Sequence, residues 1–399
     1  ATGPGPGTGV ILPHLSDLHL GHRAFDSWER GVNVRERDVA QSVQRAFDAV
    51  IERRPDLVII TGDVFDRPDP SPGALVTLTR GLEALHSALP DTPVVMVAGA
   101  RDTPRRSADA GALAALDAFP NVEAATVMPR SISYERRSLH VLLIPHTAVL
   151  RGPQPLLEPD PRMERNVLVT CGRVAHGDGP GLQVDPAEWD YVALGSNHTH
   201  RVVGPGVAYA GSLERVGSAP WREAGEEKGF VTVELPGAEI RFHPLPGRPV
   251  VALAPSRAPT GDPERLRARL AEVVREIPGG IDRKVVRVQL RGPTPSDLVA
   301  LQGLLPELTE AAVHLSVGVE RTQAEPWSKV DPLERARAAL PPDAPPEASA
   351  LLERVLGDEG PRGGRSVAGD GEGDGDGDGD GDGLGGTAGP GAEVPEESS

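Results

Sequence analysis

One cysteine in 399 residues, Cys171, leaves this chain without an internal disulfide. That excludes the disulfide-stapled secreted scaffolds and fits a reducing cytosol. Long apolar runs are missing as well. No stretch approaches the roughly 20 apolar residues of a membrane span, and no apolar segment follows a basic start, so neither a membrane helix nor a signal peptide is expected and a cytoplasmic location is. Positive charge is scarce: 41 Lys and Arg stand against 58 Asp and Glu, a formal net charge of -17. Residues 360–399 hold ten acidic groups against Arg362 and Arg365, so nearly half of the excess sits in a tail, but the body is acidic too. A broad basic surface is excluded, and any grip on nucleic acid must be local or lent by a partner.

What the chain does have is length for two or three domains and, at 38% hydrophobic residues, the means to fill their cores. Residues 10–16 read as a buried strand. Residues 35–53 carry Val39, Val43, Phe47, Val50 and Ile51 at the spacing of one helical face. The short apolar run 57–61 closes a βαβ crossover that ends at Asp63. The cycle repeats with a helix at about 73–89, a strand at 93–98 and a helix at about 108–118. Strands then dominate, near 122–127, 139–144, 167–170, 191–194, 207–210, 229–234 and 239–242.

A proline-punctuated break at 244–249 precedes a second alternation of strand and helix: 250–254, 263–277, 284–290, 297–308 and 313–319. Residues 331–340 and 346–356 read as two short helices with apolar faces that include Leu333, Leu340, Leu351, Leu352, Val355 and Leu356. These pack on their own domain or on a partner; the pattern alone leaves both open. Residues 369–383 alternate glycine with aspartate or glutamate. The run lacks the hydrophobic flanks and distal glutamate of a calcium loop, so it reads as a self-repelling disordered tail.

The candidate chemistry lies where apolar runs stop. Asp17 and His19 stand two apart, so in extended backbone both point the same way and offer half a metal site. Gly62-Asp63 closes the next strand, Gly99 the third, and Gly195-Ser196-Asn197-His198 a later one. In this order the motifs resemble the calcineurin-like metallophosphoesterases, and within them the SbcD-type DNA-repair nucleases. The likeness covers about the first 245 residues through Ser16-Asp17-Leu18-His19-Leu20-Gly21, Gly62-Asp63-Val64-Phe65-Asp66, Asp190 to Gly195, and Ala210-Gly211-Ser212-Leu213-Glu214-Arg215.

The resemblance implies an α/β protein, a four-layer αββα sandwich over 9–246 behind a flexible start at 1–8. A small α/β capping domain at 249–325 and a helical segment at 326–357 would follow, with the acidic tail at 358–399. It implies two manganese ions bridged by one aspartate, which suits phosphodiester hydrolysis because paired cations polarise the phosphoryl oxygens and stabilise the leaving oxygen. Carried over residue by residue, Asp17, His19, Asp63 and His198 hold the first ion, with Asp63 as the bridge and a catalytic residue.

The second half departs from the family pattern. Asparagine and the proton-donating histidine of the family are Ala100 and Arg101 here; its two further histidines are Cys171 and Ser196. Methyl cannot ligate, and guanidinium neither ligates nor gives up a proton at neutral pH. One Mn2+ is therefore expected. Arg101 is expected to bring fixed positive charge to the vacated place, binding a phosphate or neutralising Asp63, or else to be a solvated arginine beside Arg105 and Arg106. Cys171 is a weak soft ligand or a buried apolar thiol. Two slipped alignments stay open: His176-Gly177 in place of Cys171-Gly172, and His198-Thr199-His200 as the true His-x-His. His14 is expected in the core and Asp66 as a loop brace; His22 and His146 have no ligand spacing.

The expected function is an SbcD-like nuclease subunit acting on DNA ends. Its partner would be an SbcC-type coiled-coil ATPase docked on 326–357, and a homodimer is open. The alternatives are a catalytically degenerate DNA-end-binding or scaffold subunit, and a single-metal phosphoesterase for a small phosphodiester.

Overall fold

The computed structural model describes residues 9–104, 111–150, 155–173, 181–257, 262–291 and 312–320. Two six-stranded sheets face each other. From edge to edge the first runs Glu239–Pro244, Gly229–Leu235, Val10–Ser16, Val58–Thr61, Val94–Val97, Val122–Ala125. The second runs Arg201–Gly204, Val207–Tyr209, Tyr191–Gly195, Arg165–Cys171, Leu139–Ile144, Arg130–Tyr134. In each, four consecutive strands are parallel, in registers such as Leu15↔Ile60↔Met96↔Ala124 and Ala193↔Val169 with Val167↔Val141.

Side-chain alternation along these strands divides the core. Val10, Leu12, Ile59, Val95 and Val97 meet Val141, Val167, Val169, Tyr191 and Ala193 between the sheets. Leu15, Val58, Ile60 and Met96 point the other way, into two helices. The helix Val34–Arg53 starts where Asn33 accepts hydrogen bonds from the amides of Arg35 and Glu36, and it stops at Arg54 in left-handed conformation. The helix Pro72–Ala88 is capped by Ser71, which accepts from the Ala74 amide. The two helices approach closely because a Cβ at Gly81 would stand 2.6 Å from the Phe47 ring. The outer face of the second sheet is covered more thinly, by Leu182, Trp189 and the helix His146–Leu150.

The sandwich expected from the sequence is thus observed, an α/β fold with both sheets packed core to core. Two edge strands, Arg130–Tyr134 and Arg201–Gly204, were not expected; their polar, part-exposed residues carry no apolar run to announce them. Of the helix expected at 108–118, the described residues hold Gly111–Ala114, continued by a 3-10 turn to Ala118. Residues 105–110 lie outside the described residues.

A separate four-stranded sheet follows, in which Val250–Ala252, Ser256–Arg257 and His314–Glu320 all pair in parallel with Val285–Arg291. The helix Pro263–Arg275 lays Leu266, Leu270 and Val273 on it. Arg248 fastens this unit to the first. Its guanidinium donates to Asp38 Oδ2 at 2.8 Å and to the Arg283 carbonyl at 2.7 Å, and Asp38 also pairs with the buried Arg35 at 2.8 Å. Phe25 stacks on His314 with 3.9 Å between ring centroids. The expected helices at 297–308, 331–340 and 346–356 and the acidic tail lie outside the described residues. Among the described residues no helix is long and apolar enough to cross a membrane.

His14 occupies the layer between the sheets, with Nδ1 2.8 Å from Tyr191 Oη and Nε2 2.7 Å from Thr61 Oγ1. Burial, with a smaller push from His200, lowers its pKa to about 3. The unfolded chain therefore takes up a proton near pH 6.5 that the folded chain refuses until about pH 3, so stability is lost as pH falls through that window. His14 alone contributes a loss of roughly 1.4 kcal/mol per pH unit there. Urea unfolding at pH 6.5 and 4.5 should show it, and His14→Gln, which cannot charge, should flatten the slope.

Candidate metal centre

The parallel strands of the two sheets deliver their C-terminal ends to one place. After Ser16 the chain leaves extended geometry: Asp17, His19 and Asp63 all have positive φ, at 48°, 47° and 42°. The sequence-based picture of Asp17 and His19 pointing together from extended backbone is therefore corrected. They converge because two non-glycine residues adopt left-handed conformations, which only a well-braced loop sustains. The brace is a ladder beyond the strand ends, in which the Asp17 amide donates to Gly62 O at 3.2 Å, His19 to Asp63 O at 2.8 Å and Leu20 to Val64 O at 3.0 Å.

Asp102 ties the third loop into this ladder. Its carboxylate is buried and accepts from the amides of Gly99, Val64 and Phe65 at 2.9, 3.1 and 2.9 Å. Burial, then the Asp63 charge, push its pKa up to about 7 against those three bonds. Gly99 is required beside it, since a Cβ there would fall 2.1 Å from Asp63 Oδ1.

Asp17, His19 and His198 each present a ligand atom, all within 4.8 Å of one another. The rings of His19 and His198 meet edge to face, with their Nε2 atoms 3.2 Å apart. The opposite nitrogens are fixed: His19 Nδ1 lies 2.9 Å from Asp66 Oδ1, and His198 Nδ1 lies 3.4 Å from Glu223 Oε1. A carboxylate only accepts, so each Nδ1 carries the proton and each Nε2 turns a lone pair inward. Two facing lone pairs at that separation repel unless a cation or proton comes between them. Asp17 Oδ1, buried beside them, has no hydrogen-bond partner.

Electrostatics agree with the geometry. Burial would raise Asp66, but hydrogen bonds from His19 and His22 hold it below the usual carboxylate range. Burial likewise opposes Glu223, yet His198 and Lys228 keep it down to about 2. Burial would lower His19, and Asp66, Asp63 and Asp17 outweigh it, so the ring sits above its ordinary value. Burial chiefly raises Asp17. Carboxylate-bound imidazoles converging on an orphaned carboxylate oxygen are a donor set suited to a divalent cation. Residues 13–141 match the calcineurin-like phosphoesterase family.

The chain contains a calcineurin-like metallophosphoesterase domain. Members of that family bind divalent metal ions, and the Asp17, His19, His198 set fits one. The DNA double-strand break repair protein Mre11 of Sulfurisphaera tokodaii is 27% identical over 196 residues, covering 47% of this chain and 49% of that protein. Its counterpart from Saccharolobus solfataricus is 27% identical over 200 residues, 48% of this chain and 50% of that protein. The Methanococcus maripaludis protein is 35% identical over 92 residues, 23% of each. The chain spans about half the length of the two longer matches.

Within this metallophosphoesterase domain the other expected positions also adjoin the site. Asp63 Oδ2 stands 3.8 Å from His19 Nε2, at the margin of the tight set. Asp63 Oδ1 accepts the main-chain amide of Arg101 at 2.8 Å. The Ser196 amide donates to Asp17 Oδ2 at 3.1 Å. Cys171 pairs with Gly195 across the sheet, and its thiol fills the space over Gly62. Burial first, with the carboxylates of Asp63, Asp17 and Asp102, pushes that thiol well above its ordinary range, against a hydrogen bond from the Ala100 amide. It is a neutral buried thiol. Ala100, Cys171 and Ser196 thus offer no anionic ligand at the positions where the resemblance implies a second ion.

Of the slipped alignments, His200 is turned away, stacked on Phe242 at 4.7 Å with Nδ1 on Tyr209 O at 2.9 Å. His176 lies outside the described residues. Asp66 braces two imidazoles, His19 and His22, and so does more than hold a loop. Glu223 and Lys228 were missed. They lie 25 and 30 residues beyond His198, where no spacing rule points to them.

Proposed function

We propose that this chain is a DNA-repair nuclease subunit of the Mre11/SbcD kind, hydrolysing phosphodiesters at DNA ends with one Mn2+. The observation that carries the reading is the convergence of His19 Nε2, His198 Nε2 and the unpartnered Asp17 Oδ1, with the relatives named above supplying the substrate class. Asp17, His19 and His198 would hold the ion, with Asp63 at its margin. A bound divalent ion supplies positive charge that polarises a phosphoryl oxygen and acidifies a water. Asp66 and Glu223 keep both imidazoles in the ligating tautomer. The Arg101 guanidinium would meet the phosphate that the missing second ion leaves under-neutralised. An SbcC-type ATPase would dock on residues 326–357, a homodimer is consistent with the reading, and the setting is the cytoplasm.

A second reading, a DNA-end-binding scaffold that no longer cuts, is favoured by Ala100 and Arg101, because neither a second ligand nor an imidazole acid stands there. Incubation of linear duplex DNA and of a small chromogenic phosphodiester with Mn2+ separates the two. Cleavage of DNA that Asp63→Asn reduces by a hundredfold or more supports the nuclease. DNA-end binding without turnover supports the scaffold, and turnover of the small ester alone overturns both.

A further inference from the structure

The second α/β unit reaches the metal centre through one short turn. Pro220–Glu223 is a single 3-10 turn, and its last residue is the carboxylate that takes His198 Nδ1. Two residues earlier, Trp221 lies under the guanidinium of Arg287, with Cζ 4.3 Å from the ring centroid. Arg287 belongs to Val285–Arg291, the central strand of the second unit. Its Nε is buried and has no hydrogen-bond partner, so the indole face compensates what the cation has lost in water. Room for this pose comes from Gly318 on the neighbouring strand, where a Cβ would stand 2.5 Å from Arg287 Nη2.

The turn is held from its other side by the first unit. Arg215 Nε donates to the Glu223 carbonyl at 2.9 Å. Lys228 Nζ lies 2.6 Å from Glu223 Oε2 and donates to the His198 carbonyl at 2.8 Å, so one ammonium joins the ligand's backbone to the carboxylate that orients its ring.

We propose that the second unit positions the ligand His198: the Glu223 carboxylate holds the ring with Nε2 toward Asp17 and His19, and the Arg287–Trp221 stack fixes where Glu223 stands. This rests on reading Asp17, His19 and His198 as a metal site. Glu223 is a positioning residue, remote from the reacting atoms, and a displacement of the second unit by anything bound to it changes how tightly the ion is held.

Calorimetric titration of Mn2+ into the chelator-stripped full chain tests this, with the electron paramagnetic resonance spectrum of the bound ion as a second readout. Glu223→Ala should weaken binding 10- to 100-fold. Glu223→Gln, whose amide oxygen still accepts from Nδ1–H, should restore most of it. Arg287→Met, far from every ligand, should weaken binding severalfold and change the Mn2+ spectrum while circular dichroism stays that of the wild type. Unaltered affinity in Glu223→Ala overturns the proposal, as does unaltered affinity and spectrum in Arg287→Met. A wild-type chain that takes up no Mn2+ defeats the metal-site reading itself and is told apart from both.

Discussion

Chelator-stripped protein titrated with Mn2+ is expected to bind one ion per chain, and Asp17→Asn, His19→Ala or His198→Ala to weaken that binding by at least a hundredfold. The expectation follows from the donor inventory. His19 and His198 already have their outer nitrogens engaged by Asp66 and Glu223, so the energetic cost of orienting them has been met before the ion arrives. Removing one of them leaves the remaining lone pairs too few for a hard cation. Loss of a brace alone costs 10- to 100-fold, so loss of a ligand costs more. A second tight ion is not expected, because Ala100 is methyl, Cys171 stays a thiol and Ser196 gives its amide to Asp17. At a hundredfold excess over Kd the bound ion should stabilise the fold by about 2.7 kcal/mol, read as a rise in melting temperature that the His19→Ala chain does not show. Two tight ions per chain, or full affinity in Asp17→Asn, would refute this account of the site.

Gly195→Ala should be the most damaging small substitution near the centre. Gly195 ends a strand of the second sheet, and a Cβ there would fall 2.1 Å from the Thr61 carbonyl oxygen and 3.0 Å from Ser16 Oγ. The Thr61 carbonyl is backbone of a central strand of the first sheet, paired on each side, so it cannot yield as a flexible side chain would. The methyl must pry the sheets apart at the place where Asp17 and His198 meet. Overpacking typically costs 1–3 kcal/mol, and with backbone as the obstacle about 3 kcal/mol or more is expected. That corresponds to a melting temperature lower by roughly 6–12 °C. Gly225→Ala is the control, since nothing lies within 4 Å of its Cβ position. Should Gly195→Ala unfold at the same urea concentration as the control, the close approach of the two sheets has been misjudged.

The contrast between Asp63 and Glu223 shows what a linear pattern can carry. Asp63 was legible because it follows an apolar run and a glycine, the punctuation of a strand end, although the left-handed loop that aims it was not. Glu223 gave no such signal. It reaches His198 only because Arg215, Lys228 and the Trp221–Arg287 stack hold an irregular turn against the strand ends, and those partners are scattered over more than 70 residues. His200 offered the opposite lesson. Its spacing from His198 is that of a ligand pair, yet stacking on Phe242 takes it into a different layer.

By itself the sequence determined the apolar central strands and the two long helices between them, the sandwich class and the residues at the strand tips, because apolar periodicity and chain punctuation are local properties. Tertiary structure alone decided which nitrogen of each imidazole faces inward, that Asp17 Oδ1 is left without a partner, and that Cys171 is a neutral filler over Gly62. Those outcomes depend on burial and on partners brought together from distant segments, and neither quantity exists until the two sheets have closed on each other.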